Sequence, residues 1–326
     1  MDREHPESSA TGPIRFSLFE DDWVNRLFSA IGHAVSSPQC LIGRSLVLIG
    51  MTWIPLAILA VVSGVHTGPA GMNFFKDFAA YMQLVLGLPL FVIAESIVSI
   101  HTQRAATQFF ATEIIQSDET VGLEAVHRKL AILRKSCVPD LLCLIVGYGL
   151  SLATILLMLF DGQPTWHAHS SHPGMQEALT AAGWWEMLIA LPVLNYWWLR
   201  WIWKIILWCW YLFRLSRMSL TLVASHPDLT GGLGFLSDAQ TRFGWVILAY
   251  GVTNVASTIG YKVGVEGASF GLYSVWGPLV GFILGAPLLF LSPLLMFTKH
   301  LYQAKWRALE QYHDKAMDRA RIFEEE

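Results

Sequence analysis

Charge is what this sequence has least of: only 14% of its 326 residues are Asp, Glu, Lys or Arg, where a soluble domain carries roughly a quarter. With 54% hydrophobic content there is too little polar surface to face water, and the chain is built for lipid. A basic excess is also missing. The net charge of -3 and a pI near 6.4 leave nothing to neutralise a phosphate backbone, which excludes a nucleic-acid partner. Cysteine is scarce: Cys40, Cys137, Cys143 and Cys209 match neither a disulfide framework nor a metal knuckle. No apolar run opens the chain. Its first 22 residues hold six acidic side chains, Pro6 and Pro13, so a cleaved signal peptide is not expected. Nucleophile motifs, paired carboxylates and histidine boxes are absent at helical spacing. His101 and Glu95, six residues apart, do not share a helix side, and an enzyme is not expected.

Long apolar runs are what the chain has instead. A bilayer core about 30 Å thick needs roughly 20 apolar helical residues. Six runs fit: 45–65, 78–100, 137–160, 181–213, 244–261 and 272–298, the last interrupted by Pro278, Pro287 and Pro293. The expected fold is therefore an all-α polytopic membrane protein with about six transmembrane helices, plus helices outside the bilayer. Residues 1–44 form an N-terminal segment whose stretch 23–35 suits an interfacial amphipathic helix. Residues 45–298 form the transmembrane domain, with a helical insert at 101–136 between its second and third spans. Residues 299–326 complete the chain as a helical tail.

Orientation follows from the basic residues. With a cytoplasmic N-terminus, 20 of the 22 Lys and Arg lie on the inner side, and only Lys76 and Lys262 lie outside. That bias places both termini in the cytoplasm and requires an even number of spans. Beyond the bilayer, Leu123, Val126, Leu130 and Leu133 make a short heptad-type stripe after Asp118, a plausible helix cap. Leu301, Ala308, Tyr312, Ala316 and Phe323 lie roughly on one side of the tail. These helices pack on one another below the membrane or form a collar that joins subunits.

Ionisable residues within spans are the strongest functional pointers, because each is costly in hydrocarbon unless it meets water or a partner. They are Glu95, Asp140, Glu186, Arg200 and Lys204. At 3.6 residues per turn Glu186, Arg200 and Lys204 share one face. Glu95 comes to the depth of Arg200 as its counter-charge, with Asp140 near the same level. The set either lines or gates a pathway, or forms a structural ion-pair network; Arg200 and Lys204 also have the alternative of snorkelling to the interface among Trp197, Trp198, Trp201 and Trp203.

Two loops add candidates. His167, His169 and His172 fall within six residues in a loop expected on the outer side, a set of imidazoles able to hold zinc or copper or to titrate with external pH. No other cofactor is expected. On the cytoplasmic side, His226, Asp228, Gly231, Gly232 and Gly234 lie in Ser-His-Pro-Asp-Leu-Thr-Gly-Gly-Leu-Gly-Phe-Leu, residues 225–236. Three glycines after a proline suit a tight turn, a hinge, or amides directed at an anion. The stretch resembles one found in bacterial polytopic membrane proteins without an assigned activity. The likeness covers about a dozen residues and implies no activity. With it the expected location is the bacterial inner (plasma) membrane, and the expected partners are the lipid bilayer, further copies of the chain and a cytoplasmic protein. The expected function is a channel or transporter for ions or a small solute. The alternative is a membrane-anchored scaffold.

Overall fold

The computed structural model describes residues 18–19, 23–30, 38–67, 72–111, 114–115, 119–161, 165–172, 175–264, 271 and 275–325. Its elements run as α1 (Trp23–Ala30), α2 (Pro38–Val62), α3 (Phe78–Ala80), α4 (Leu88–Ala111), α5 (Thr120–Lys135), α6 (Val138–Asp161), β1 (Ala168–His172), β2 (Met175–Leu179), α7 (Ala181–Trp185), α8 (Leu191–Leu215), α9 (Gly234–Thr241), α10 (Gly244–Tyr250), α11 (Ser257–Gly264), α12 (Gly277–Leu291) and α13 (Thr298–Glu325). Several are segments of longer helices. π-Helical turns at Tyr81–Gly87, Glu186–Ala190 and Gly251–Ala256 join α3 to α4, α7 to α8 and α10 to α11. A 3-10 stretch, Ser292–Phe297, joins α12 to α13 where Pro293 cannot donate to the helix ladder.

Among the described residues, five helices are long and apolar enough to cross a bilayer: Cys40–Val62, Phe78–Phe109, Val138–Phe160, Gly234–Val263 and Gly277–Ile322. The remaining expected span, 181–213, is also helical but stands apart. Its tryptophans, Arg200 and Lys204 lower its hydropathy, and its side chains fill the core instead of facing outward. Leu194, Trp197, Trp201, Leu207, Trp208, Tyr211, Leu212 and Leu215 are all buried. α8 is thus the central post, while the outward faces of α2, α6 and α12 carry exposed Leu, Ile and Val, the pattern of helices whose solvent is lipid.

Small and polar residues set the closest packing. A Cβ at Gly87 would collide with the Thr253 side chain where the π turns Tyr81–Gly87 and Gly251–Ala256 meet, so glycine lets those helices approach, whereas at Gly147 of α6 it would make only an ordinary contact, 3.4 Å from the Tyr196 nitrogen of α8. Across that contact Asn195 Nδ2 donates to Ser151 Oγ at 3.0 Å and to the Gly147 carbonyl at 3.3 Å. Around the post, α4 packs on α2, α9 and α10, and α5 packs on α8.

Several sequence expectations shift. The N-terminal helix is not a free interfacial element: Val24, Asn25 and Phe28 of α1, with Leu18 and Phe19 before it, are buried in the core. α2 begins at Pro38, so Arg44 lies inside it. In α5, Leu123, Val126 and Leu130 are buried while Leu133 is 37% exposed, so the stripe seats this helix within the chain. Asp118 lies outside the described residues; the helix is preceded by Glu119. Leu301 of the tail touches the core, whereas Tyr312 is exposed and the Phe323 side chain lies outside the described residues. The segment read as a histidine loop contains an antiparallel hairpin, β1–β2, with irregular register. It marks one end of the bundle, opposite the end where α5 and α13 lie.

Candidate functional site

Three helices bring one carboxylate between two guanidinium groups. Arg200 Nη1 of α8 donates to Glu95 Oε2 of α4 at 2.8 Å. Arg44 Nη2 of α2 lies 3.5 Å from Glu95 Oε1. All three side chains are completely buried. Isolated charges at such a place would cost several kcal/mol each, about as much as their attraction returns, so the geometry has to be good. Neighbouring groups improve it. Arg44 Nη2 donates to Asn25 Oδ1 at 2.9 Å, and Asn25 Nδ2 donates to the Phe19 carbonyl at 2.7 Å. The N-terminal segment is thereby fastened beneath the ion pairs.

Aromatic faces supply the remaining solvation of the cations. The Arg44 guanidinium stands 4.6 Å from the Phe28 ring centre. Arg200 lies 5.1 Å from Trp197 and 5.8 Å from Phe19, and Lys204 Nζ lies 5.6 Å from Phe19. The site's polar inventory is incomplete: Arg44 Nε and Nη1 are buried without a hydrogen-bond partner among the described residues. Chemically, the arrangement can hold charge within an apolar bundle and fix the relative level of α2, α4 and α8.

Glu186 and Asp140 do not join it. Glu186 Oε2 lies 2.6 Å from His167 Nε2, both side chains being buried. Glu186 lies 14 residues before Arg200, about 21 Å along the helix, too far to reach Glu95, and the π turn Glu186–Ala190 also changes the face it occupies. It inserts one residue relative to an α-helix, which rotates everything before it by about 100° and takes Glu186 off the line of Arg200 and Lys204. Asp140 Oδ1 accepts from the Tyr196 hydroxyl at 3.1 Å, closing one end of the α6–α8 contact.

His167 is held from several directions. Its ring stacks on Trp166 at 3.8 Å between centres, and Trp166 Nε1 donates to Asp77 Oδ2 at 2.8 Å. Its carbonyl accepts from the Thr180 N–H at 2.8 Å, while Thr180 Oγ1 accepts from the Gly183 N–H at 2.9 Å and so caps α7. A Cβ on Gly183 would collide with the His167 carbonyl. Burial alone would lower the imidazole's pKa, but the Glu186 carboxylate, aided by Asp77, raises it above its ordinary value. The imidazole set expected for a metal therefore has its first member turned inward to Glu186. The side chains of His169 and His172 lie outside the described residues, and among those described no group of three His, Cys, Asp or Glu is placed to hold a metal.

The loop of His226 and Asp228 directs its amides inward. Asp228 accepts from the N–H groups of Thr230, Gly232 and Gly234 at 3.0, 3.1 and 2.8 Å and from Thr230 Oγ1 at 2.8 Å. His226 Nδ1 approaches its Oδ1 at 2.7 Å. The amides expected to greet a bound anion are thus occupied by the loop's own carboxylate. Partial desolvation pushes against that ionised form, yet the hydrogen bonds win and hold the carboxyl well below the usual range. Gly231 and Gly232 sit at φ 67° and 98°, conformations that cost glycine little.

Sequence reasoning passed over Arg44, Asn25 and the pair of His127 and Tyr211, whose Nε2 and hydroxyl lie 3.1 Å apart in the core. A signal for Arg44 was present: Ser36-Ser37-Pro38 has the form of a helix start with proline in the first turn, which moves Arg44 into the first span.

Compared with family models, curated proteins and solved structures, the chain matches none. Its class rests on architecture: an all-α chain that has, among the described residues, five long apolar helices, which fit a multi-pass membrane protein.

Proposed function

We propose that the chain is a six-span conduit for ions or a small solute, held here in a closed conformation. In this reading the helix from α7 to α8 is the sixth span, both termini are cytoplasmic, and the membrane is the bacterial inner membrane. The observation that carries it is the Glu95 carboxylate, completely buried and shared by Arg44 and Arg200. Ionisable groups at membrane depth most often mark pathways and gates, and this one lies where three spans meet. The π turns in three of the long helices add support, since such turns concentrate at functional sites. Opening would separate Glu95 from at least one arginine. Assembly into homo-oligomers belongs to the same proposal: only 6% of the most apolar window in Gly277–Ile322 is buried, leaving its faces to lipid or to another copy.

The test is flux through liposomes containing the purified chain under ion, proton and solute gradients. Arg200→Gln and Glu95→Gln are expected to change the rate, measured well below each variant's unfolding temperature. Vesicles that stay tight under every gradient refute the conduit. One observation favours a second reading, a membrane-anchored scaffold with a cytoplasmic partner: Leu229, at the tip of the Asp228 loop, is 93% exposed with φ 57°. Tight vesicles together with loss of a captured partner in Leu229→Ser would establish it.

A further inference from the structure

The end of the bundle opposite the hairpin holds a polar cleft of about 780 Å³ between the segment that follows α8 and the helix α13. Its volume lies in the range of small-ligand sites, roughly 300–1,000 Å³. Arg217 contributes from one wall; His300, Arg307 and Lys315 contribute from the other; no carboxylate among the described residues lines it. Arg217, Arg307 and Lys315 engage no carboxylate among the described residues.

The wall opposite α13 is preformed. Ser219 donates through its N–H and its hydroxyl to Glu119, at 2.8 and 2.7 Å, so that carboxylate is consumed in holding the backbone. The Thr221 N–H donates to the Ile114 carbonyl at 2.8 Å, and the Val223 N–H to the Gly231 carbonyl at 3.2 Å. Arg217 rests over the Phe213 ring at 5.1 Å. His300 Nε2 lies 2.8 Å from the Ser216 carbonyl; since that carbonyl only accepts, Nε2 carries the hydrogen, and the contact ties the start of α13 to the end of α8. Glu310 and Asp314 belong to α13 but do not line the cleft.

We propose that this cleft binds a phosphate-bearing anion, and that Arg217 and Arg307 form the jaws that grip it. Two guanidinium forks match the oxygens of a phosphate in pairs, and Lys315 adds a third charge. Gln303 and Gln311, both in the lining, supply neutral donors beside them. The same chemistry is offered by a soluble phosphate compound and by an anionic lipid headgroup, which reaches the cleft because Arg217 follows α8 by two residues. The proposal is independent of the conduit.

The experiment uses the full chain in nanodiscs. In discs of phosphatidylcholine, inorganic pyrophosphate is titrated and binding is read by calorimetry. In discs doped with phosphatidylglycerol, the anionic lipid retained per chain is counted by native mass spectrometry. The variant Arg217→Gln/Arg307→Gln/Lys315→Gln is expected to lose at least about tenfold in affinity in one arm, the loss of one charge-assisted contact or more. The control Lys299→Gln/Lys305→Gln/Arg321→Gln, which changes the same net charge outside the cleft, is expected to stay within about twofold. Loss in the pyrophosphate arm assigns a soluble ligand; loss in the lipid arm assigns a headgroup. The proposal is overturned if neither probe binds the unmodified chain, if the cleft variant matches it in both arms, or if the control loses as much. Should the triple variant not fold, Arg307→Gln alone is expected to weaken binding about threefold, and an unchanged affinity overturns the proposal equally.

Discussion

Replacing Glu95 by Gln removes the one carboxylate that Arg44 and Arg200 share and leaves two cations in an apolar centre. With an effective dielectric constant of 20 and charge separations near 4 Å, each ion pair is worth about 4 kcal/mol of Coulomb energy. The amide oxygen of Gln recovers one hydrogen bond, so the net cost is about 3–5 kcal/mol, the usual penalty for breaking a buried pair from one side. Arg200→Met behaves differently. It leaves Glu95 with Arg44, still 3.5 Å away, and replaces the guanidinium with a side chain that packs against Trp197; the expected cost is about 1–2 kcal/mol. Thermal unfolding in detergent, followed by tryptophan fluorescence, separates the two. Glu95→Gln is expected to lower the midpoint by roughly 5–10 °C and Arg200→Met by roughly half as much or less. The reasoning is refuted if Arg200→Met is as damaging as Glu95→Gln, because the carboxylate would then not be serving two partners.

The His167–Glu186 contact raises the imidazole's pKa, so its stabilisation is complete below pH 6.5 and fades as pH climbs through the raised value; midpoints measured from pH 6 to pH 9 should fall, and Glu186→Gln should flatten that fall. His127 shows the opposite sign. Burial lowers its pKa to about 4, so up to about 3 kcal/mol is lost as pH drops from 6.5 through 4, and His127→Phe should remove that acid sensitivity in the same assay. Asp228→Asn deprives the loop of one of two accepting oxygens and should cost about 1–2 kcal/mol, seen as faster limited proteolysis between residues 225 and 234; an unchanged cleavage rate would mean the carboxylate does not hold the turn.

Apolar run length carried most of the fold into view. The second and third spans begin within a residue of where hydropathy put them, because a helix in lipid must satisfy its own backbone and has no reason to stop early. The helical run of the fifth expected span is longer than expected: it begins with α9 at Gly234, ten residues before Gly244, since Asp238, Gln240 and Arg242 keep its first turns polar. The meeting of Glu95 with Arg200 was legible because depth along two helices is a matter of counting at 1.5 Å per residue. The partner of Glu186 was not. Counting assumes an unbroken α-helix, and nothing local in Glu-Met-Leu-Ile-Ala announces a π turn, while His167 lies on a segment 19 residues away whose approach no helix count supplies. The buried pair of His127 and Tyr211 was equally hidden, because its members are 84 residues apart and neither violates its own helix pattern.

The buried ionic centre also has an order in time. A chain that enters the bilayer from its N-terminus delivers Arg44 near the start of α2, where a long side chain can wait at the interface. Glu95 follows, and a cation is already in place to receive it; Arg200 arrives last and completes the shared contact. In the six-span reading proposed above, the order positive, negative, positive along the chain means that the carboxylate never has to stand alone in hydrocarbon, and the N-terminal segment, already tied to Arg44 through Asn25, gains its aromatic contacts with Trp201 and Arg200 only when α8 is in place.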